Sequence, residues 1–564
     1  MKSNSCRILA LILACHTCVF DIKAELPTPD PDDGGLKLPP GFHALVVADK
    51  LGGSRFLTVA PNGDVYLRHT NIMVLRDTKG DGHLKPLQSF GVDCGKGQDS
   101  TGIAFHGDYL YYSNKNTIYR YKMTPGQPVP TGDPETIVKD LPGSAGHQAK
   151  SITFDAEGNM YIDIGSPQNV YSRGDRGLHA KGLDATEFLK TRGGIWRFKS
   201  DVPNQTEADG YRFITGERHT IAIAFNPVSK QLFGVMMGRD NLSSVDPADY
   251  TAQDNAEDVA EEMHQLKDGA NWGWPYTYYN PLTKVRMIAP EYGGDNKKKA
   301  EPGKYEDPVV AFPGHWAPLQ MTFYTGTQFP EKYRNGAFVA FHGSWNRAPL
   351  PQAGYNVAFV PFDSKGMPLG TYEVFADNFA GAPVIYSPGK AKYRPSGVAV
   401  GPDGSLYVCS DNGRIWRIIY TGKVTKPSLS LSPVTDSLFG RTPSRQAPVN
   451  VSPKVLASGL QVYTANCAAC HQVDGSGVPN IQPALTNDDI VTGDPTLLVR
   501  AVLQGPASVL PPGRPIYSNK MPPFSRLTDQ QIADVLTYIR HDFGHQTSTI
   551  SARQVQTIRA RVAQ

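Results

Sequence analysis

A short phrase keeps returning along this chain: an alternating apolar strand, a tight turn built on Gly, Asn or Asp, and a second strand rich in Tyr and Val. It first occurs as Leu57-Thr58-Val59-Ala60-Pro61-Asn62-Gly63-Asp64-Val65-Tyr66-Leu67, where period-two alternation around Pro-Asn-Gly marks a β-hairpin. It recurs at Gly102-Ile103-Ala104-Phe105-His106-Gly107-Asp108-Tyr109, at Ile152-Thr153-Phe154-Asp155-Ala156-Glu157-Gly158-Asn159, and at Ile223-Ala224-Phe225-Asn226-Pro227. A looser copy spans 321–341, and another opens with Val398-Ala399-Val400-Gly401-Pro402-Asp403-Gly404. Six such units between about residue 41 and residue 420 predict a six-bladed β-propeller. Third strands such as Gly194-Ile195-Trp196-Arg197-Phe198 and Arg414-Ile415-Trp416-Arg417-Ile418 suit four-stranded blades, with a pair of packed sandwiches as the competing architecture. The longest gap, Asn226 to Asn335, implies insertions, which in a propeller gather at the channel mouth.

Beyond residue 420 the hairpins stop. Residues 421–453 are rich in Ser, Thr and Pro, as in a semi-extended linker. Then comes Cys467-Ala468-Ala469-Cys470-His471, the c-type haem attachment pattern, in which two thiols add across haem vinyl groups and the adjoining imidazole binds the iron. A redox or zinc site would need further partners.

The flanks supply the rest of a small all-α domain, 454–545. An apolar helical run leads into the motif. Asp494-Pro495 starts a helix that Gly505 can end, and Thr528 with Gln531 forms a capping box, with Leu527 and Ile532 as a hydrophobic staple. Met521, in a loop fixed by Pro522 and Pro523, is the candidate distal ligand opposite His471. This region resembles a class I cytochrome c, and residues 546–564 read as a tail.

At the other end, Lys2 and Arg7 precede a short apolar run, so 1–24 reads as a secretory signal. Ile22-Lys23-Ala24 is a passable cleavage site, whereas Ile12-Leu13-Ala14-Cys15 resembles a lipobox and would leave a lipid anchor. Export suits the cysteines: outside the signal and haem motif only Cys94 and Cys409 remain, as a disulfide between the first and last units or as two buried thiols. A formal net charge of +3 gives no case for nucleic acid. Asp77-Thr78-Lys79-Gly80-Asp81-Gly82 opens like a calcium loop, but Lys79 and Gln88 occupy ligand positions, and it reads as a turn.

Within 38–420, His147 stands in Gly146-His147-Gln148-Ala149-Lys150, just before a strand, where a loop can present an imidazole beside an ammonium that keeps it neutral. Arg218-His219-Thr220, Gly238-Arg239-Asp240, Gly343-Ser344-Trp345-Asn346-Arg347 and Lys392-Tyr393-Arg394 fall at similar places. Together they suggest a cationic, aromatic-lined pocket for a multiply carboxylated ligand.

With 146–166, Gly269-Ala270-Asn271-Trp272-Gly273-Trp274-Pro275-Tyr276, Phe323-Tyr324-Thr325-Gly326, 341–347 and 394–420, this region resembles the soluble quinoprotein sugar dehydrogenases, in particular the sorbosone and pyranose dehydrogenase branch. That resemblance implies pyrroloquinoline quinone (PQQ) and calcium in the channel, His147 as the base, and Arg218 beside the quinone oxygens. It also implies calcium on the carbonyls of Gly238 and Arg239, and Arg347, Lys392 and Arg394 toward the quinone carboxylates, with Gln98 and His315 in the pocket wall. His219 stands where the family usually has Asn, and Arg239 replaces a smaller residue.

The expectation is an exported, periplasmic quinohaemoprotein: an all-β six-bladed propeller followed by a small all-α cytochrome c domain. It would oxidise a sugar, polyol or aldehyde and pass electrons through its haem c to a downstream acceptor, touching membrane only through a lipid anchor. A calcium-dependent propeller lactonase and a non-enzymatic electron-transfer or sugar-binding module are the alternatives.

Overall fold

The computed structural model describes residues 26–93, 101–143, 146–422, 451–478, 481–486, 488–510, 517, 519–543 and 547–562. The signal segment, Cys94, Gln98 and nearly all of the 421–453 linker lie outside these residues.

Among the described residues are six four-stranded antiparallel sheets. The first runs through Leu57–Val59, Val65–Arg68, Ile72–Arg76 and Lys85–Phe90, and the next four follow in chain order from Ile103–His106, Ile152–Phe154, Ala222–Asn226 and Pro318–Phe323. Each copy of the recurring phrase is the inner hairpin of one blade. The innermost strands touch in sequence, and the sixth touches the first. That closed contact ring is a propeller, not two stacked sandwiches.

The sixth blade takes Pro395–Val400, Leu406–Ser410 and Ile415–Tyr420 from the end of the region and its outer strand, Phe42–Ala48, from the beginning. Phe42 pairs with Tyr420 and Ala44 with Ile418. Phe42 packs edge-on against Phe329, Tyr333 and Phe375 of the fifth blade, so the closure strand is anchored in an aromatic cluster.

The Asp77 turn accepts backbone N–H groups of Lys79, Gly80 and Gly82 in its own carboxylate. Cys409 is a free, buried thiol that donates to the Arg55 carbonyl, and burial pushes it up to about 12. The long fourth-blade insertion holds the helices Leu242–Val245 and Ala252–Glu257 and the hairpin Thr277–Asn280 with Val285–Ile288.

The C-terminal domain contains the helices Pro453–Asn466, Pro495–Gln504 and Asp529–Asp542. Asp494 caps the second, and Thr528 and Gln531 exchange the two bonds of a capping box on the third. Ile532, Val535, Leu536 and Ile539 are buried as a stripe. The segment read as a tail contains the helix Ala552–Val562, whose Val555 and Ile558 join the core cluster of the haem domain. Arg559 donates to Asp529 and to the carbonyls of Ser525 and Leu527.

Candidate functional site

His147 lies in the loop entering the third blade. Its backbone N–H and its Nδ1 both reach the Ser166 carbonyl, at 3.1 and 2.7 Å. Because that oxygen only accepts, Nδ1 carries the hydrogen and Nε2 keeps its lone pair. The Ser166 N–H in turn donates to the Arg218 carbonyl at 2.9 Å, so one residue sets both the imidazole and the arginine.

Gly165 permits the close approach. A Cβ there would fall 2.7 Å from the His147 carbonyl and 2.8 Å from His219 Nδ1. Burial, then the charges of Arg218 and His219, hold the imidazole well below its ordinary 6.5. The cation expected beside it, Lys150, is turned elsewhere: its Nζ donates to the Gln148 carbonyl and its charge acts on Glu217.

Arg218 is held by Asp240, the hub of the site. Asp240 accepts from Arg218 at 2.7 Å, Arg176 at 3.1 Å and Asn346 at 2.6 Å, and His315 Nδ1 lies 3.5 Å away. Burial works to raise this carboxyl, but Arg218, His315 and Arg176 together hold it well below 3.8. Asn169 fixes the Asp240 backbone from both sides, and Trp274 of the Trp-Gly-Trp segment donates to Asn169.

His219, in the position where Asn was expected, sits 3.0 Å from Asp163, with its ring 5.0 Å from that of His147. Behind it, burial and the Asp163 charge push the Glu217 carboxyl well above the usual carboxylate range. Arg239 turns its guanidinium to Glu291 and to the Asp240 carbonyl. Its own charge is thereby compensated beside the carbonyls of Gly238 and Arg239.

Not every sequence candidate converges. Arg347 is spent on the carbonyls of Ala256, Gly314 and Pro351, and Lys392 is exposed over the Tyr393 ring. Arg394 bonds the carbonyls of His342 and Gly343. Near it stands Arg55, unnoticed in the sequence, whose guanidinium makes no hydrogen bond among the described residues and feels both Asp411 and Arg394. Arg176, Asp163 and Asp240 were also missed as partners, although Asp163 and Asp240 lay inside quoted stretches.

The fit to a carboxylated quinone rests on unused donors: Arg218 Nε is buried without a partner, and the Arg55 donors are open. No group of three His, Cys, Asp or Glu side chains that could hold a metal ion clusters among the described residues.

In the other domain, Cys467 caps the helix Pro453–Asn466, and Cys470 and His471 occupy the next turn. His471 Nδ1 donates to the Pro483 carbonyl at 3.0 Å, leaving Nε2 for iron. Apolar burial pushes the thiols up, Cys467 to about 12 and Cys470 to about 11, and Met521 borders the same apolar cluster as Cys467. This donor set fits a covalent haem.

Comparison with known proteins agrees with this division. A family model described as TrAA12-like matches residues 36–421. The chain belongs to the TrAA12-like family. A cytochrome c model matches residues 456–542 of this TrAA12-like protein.

An uncharacterized protein of Borreliella burgdorferi is 29% identical over 417 residues, covering 72% of this chain and 96% of its own length. The PQQ-dependent pyranose dehydrogenase of Coprinopsis cinerea is 30% identical over 198 residues, 30% of this chain and 26% of that protein. The cytochrome c subunit of the quinone alcohol dehydrogenase of Gluconobacter oxydans is 40% identical over 106 residues, 18% of this chain and 22% of the subunit. Among solved structures, the calcium form of the Trichoderma reesei family AA12 enzyme superposes with TM-score 0.55 at 17% identity, over 68% of this chain and 97% of its own. The holo PQQ domain of the Coprinopsis cinerea pyranose dehydrogenase gives 0.53 at 19%, with the same coverage. These two likenesses establish the propeller fold. No helix among the described residues is long and apolar enough to cross a membrane.

Proposed function

We propose that this TrAA12-like protein is a periplasmic quinohaemoprotein that oxidises a sugar, polyol or aldehyde at the propeller and delivers the electrons to its own haem c. The observation that carries this is the imidazole of His147, held by Ser166 with Nε2 free and kept neutral next to a buried arginine. PQQ with calcium supplies the hydride acceptor when bound, and the names of the pyranose dehydrogenase relatives support that cofactor.

The chain's own residues do the following. His147 Nε2 takes the proton of the substrate hydroxyl. Arg218, aimed by Asp240, presents its remaining donors to oxygens on which negative charge develops. Arg55 and Arg394 offer positive charge to carboxylates on the other side of the channel. The carbonyls of Gly238 and Arg239 would hold the calcium, and Cys467, Cys470, His471 and Met521 would hold the haem.

The test is reconstitution of the purified full chain with PQQ and calcium, followed by a panel of sugars, with dye bleaching and haem reduction recorded together. Substrate-driven change in both is expected. His147→Ala should keep the haem spectrum and lose on the order of 10²–10⁴-fold in rate; normal turnover in that variant would remove His147 from the mechanism. A propeller lactonase would hydrolyse without either colour change.

A further inference from the structure

The haem-ligand segment is not remote from the propeller site. Gln472, the residue after His471, is fully buried, and its Nε2 donates to the carbonyl of Trp345 at 2.8 Å. Trp345 precedes Asn346, which bonds Asp240 at 2.6 Å. Gln472 holds φ 67° and ψ 161°, a backbone conformation that residues with side chains avoid and that tends to persist where function requires it. Its Oε1 is buried with no partner, and its carbonyl is fixed by the Tyr463 hydroxyl.

Three other contacts join the same two faces. Ser387 and Ser476 meet at 2.9 Å. Ala348 of the propeller belongs to the apolar cluster of the haem domain. On the side of the Met521 loop, a Cβ on Gly177 would stand 3.5 Å from Pro522.

We propose that Gln472 is the positioning residue that docks the haem-attachment face onto the propeller mouth, and that its bond to Trp345 is a direct bonded connection from the haem-ligand segment to the quinone pocket and sets the internal electron-transfer rate. This rests on the function proposed above. For each hydroxyl oxidised to a carbonyl, two electrons cross singly and leave to a one-electron acceptor outside the chain, while the two protons pass by way of the pocket to solvent. Electronic coupling decays far less through a continuous path of covalent and hydrogen bonds than across a gap. A docked face also replaces the low effective concentration of a tethered but free domain.

The test uses the holo full chain. Gln472→Gly removes the amide and suits the positive φ, and Ser387→Arg wedges the faces apart from the propeller side without touching the haem domain. Stopped-flow haem reduction by substrate should fall on the order of tenfold or more in both variants. Reduction of a dye that takes electrons from the propeller site should stay within about twofold, with the haem spectrum and midpoint potential unchanged. Amide exchange in 343–348 and 472–478 should rise in the variants. Unchanged haem-reduction rates with raised exchange would overturn the rate-setting role, and exchange in wild type as fast as in the variants would overturn docking. If wild type reduces neither dye nor haem, the proposed function fails, while the exchange data still decide whether the faces are joined.

Discussion

Replacing Asp240 by Asn keeps the shape of the side chain and removes its charge, which leaves the buried Arg218 guanidinium without its counter-ion and Arg176 with Asp175 alone. Removing one partner of a buried ion pair costs about 3–5 kcal/mol. At about 2.1 cal/mol/K per residue over roughly 380 propeller residues, the unfolding entropy is about 0.8 kcal/mol/K, so Tm should fall by roughly 4–6 °C. All 6 tryptophans of the chain fall at positions 196, 272, 274, 316, 345 and 416, so tryptophan emission originates in the propeller and the Soret band in the haem domain. The fluorescence transition should move and the Soret transition should not. The pH dependence has a definite sign: a carboxyl held well below 3.8 in the fold stabilises above that value and loses its contribution as pH falls through the folded pKa. Wild type and variant should therefore converge in strong acid. A shift under about 1 °C at neutral pH would refute the hub role of Asp240.

Three further outcomes follow from the geometry. With His147 held below 6.5 by burial and Arg218, the base stays neutral into mild acid, so kcat/KM in the reconstituted enzyme should show no loss between pH 7 and 6 traceable to this group; an acid limb centred at 6.5 that disappears in His147 variants would contradict the assigned environment. Gly165→Ala places a methyl against the His147 carbonyl and His219, and should lower kcat at least about tenfold while the haem spectrum is kept, as read by parallel dye and Soret assays. Truncation before Ala552 strips Val555 and Ile558 from the core and removes the Arg559 bonds. Burial of two such side chains is worth roughly 3–5 kcal/mol, so the Soret melt should drop while the fluorescence melt stays in place.

The propeller was legible because a hairpin is a local object: Pro61-Asn62-Gly63 and Gly401-Pro402-Asp403-Gly404 declare their turns within a few residues, and counting them gives the blades. His147 and Arg218 were legible as well, since each precedes the inner strand of its blade, where the channel mouth must be. Asp240 as a hub was not, because its partners arrive from 176, 218, 315 and 346 and only the closed ring brings those loops together. Lys150 misled for the opposite reason: nearness in sequence does not fix the direction of a side chain. The last helix was overlooked although Val555, Ile558 and Val562 recur at helical spacing, since its polar and basic neighbours mask a narrow apolar stripe.

The seven-residue strand Phe42–Ala48 belongs in space to the last blade and in sequence to the first. During synthesis, about 370 residues separate its emergence from that of Ile415–Tyr420, its partner, at rates of about 5–20 residues per second. For roughly 20–75 s the nascent chain therefore carries a waiting apolar strand and, later, an unpaired sheet edge, both open to mispairing with other chains. The haem domain follows the closing strand in sequence. Premature termination anywhere before Tyr420 should thus yield an open, aggregation-prone ring, whereas loss of everything beyond it leaves the circle able to shut.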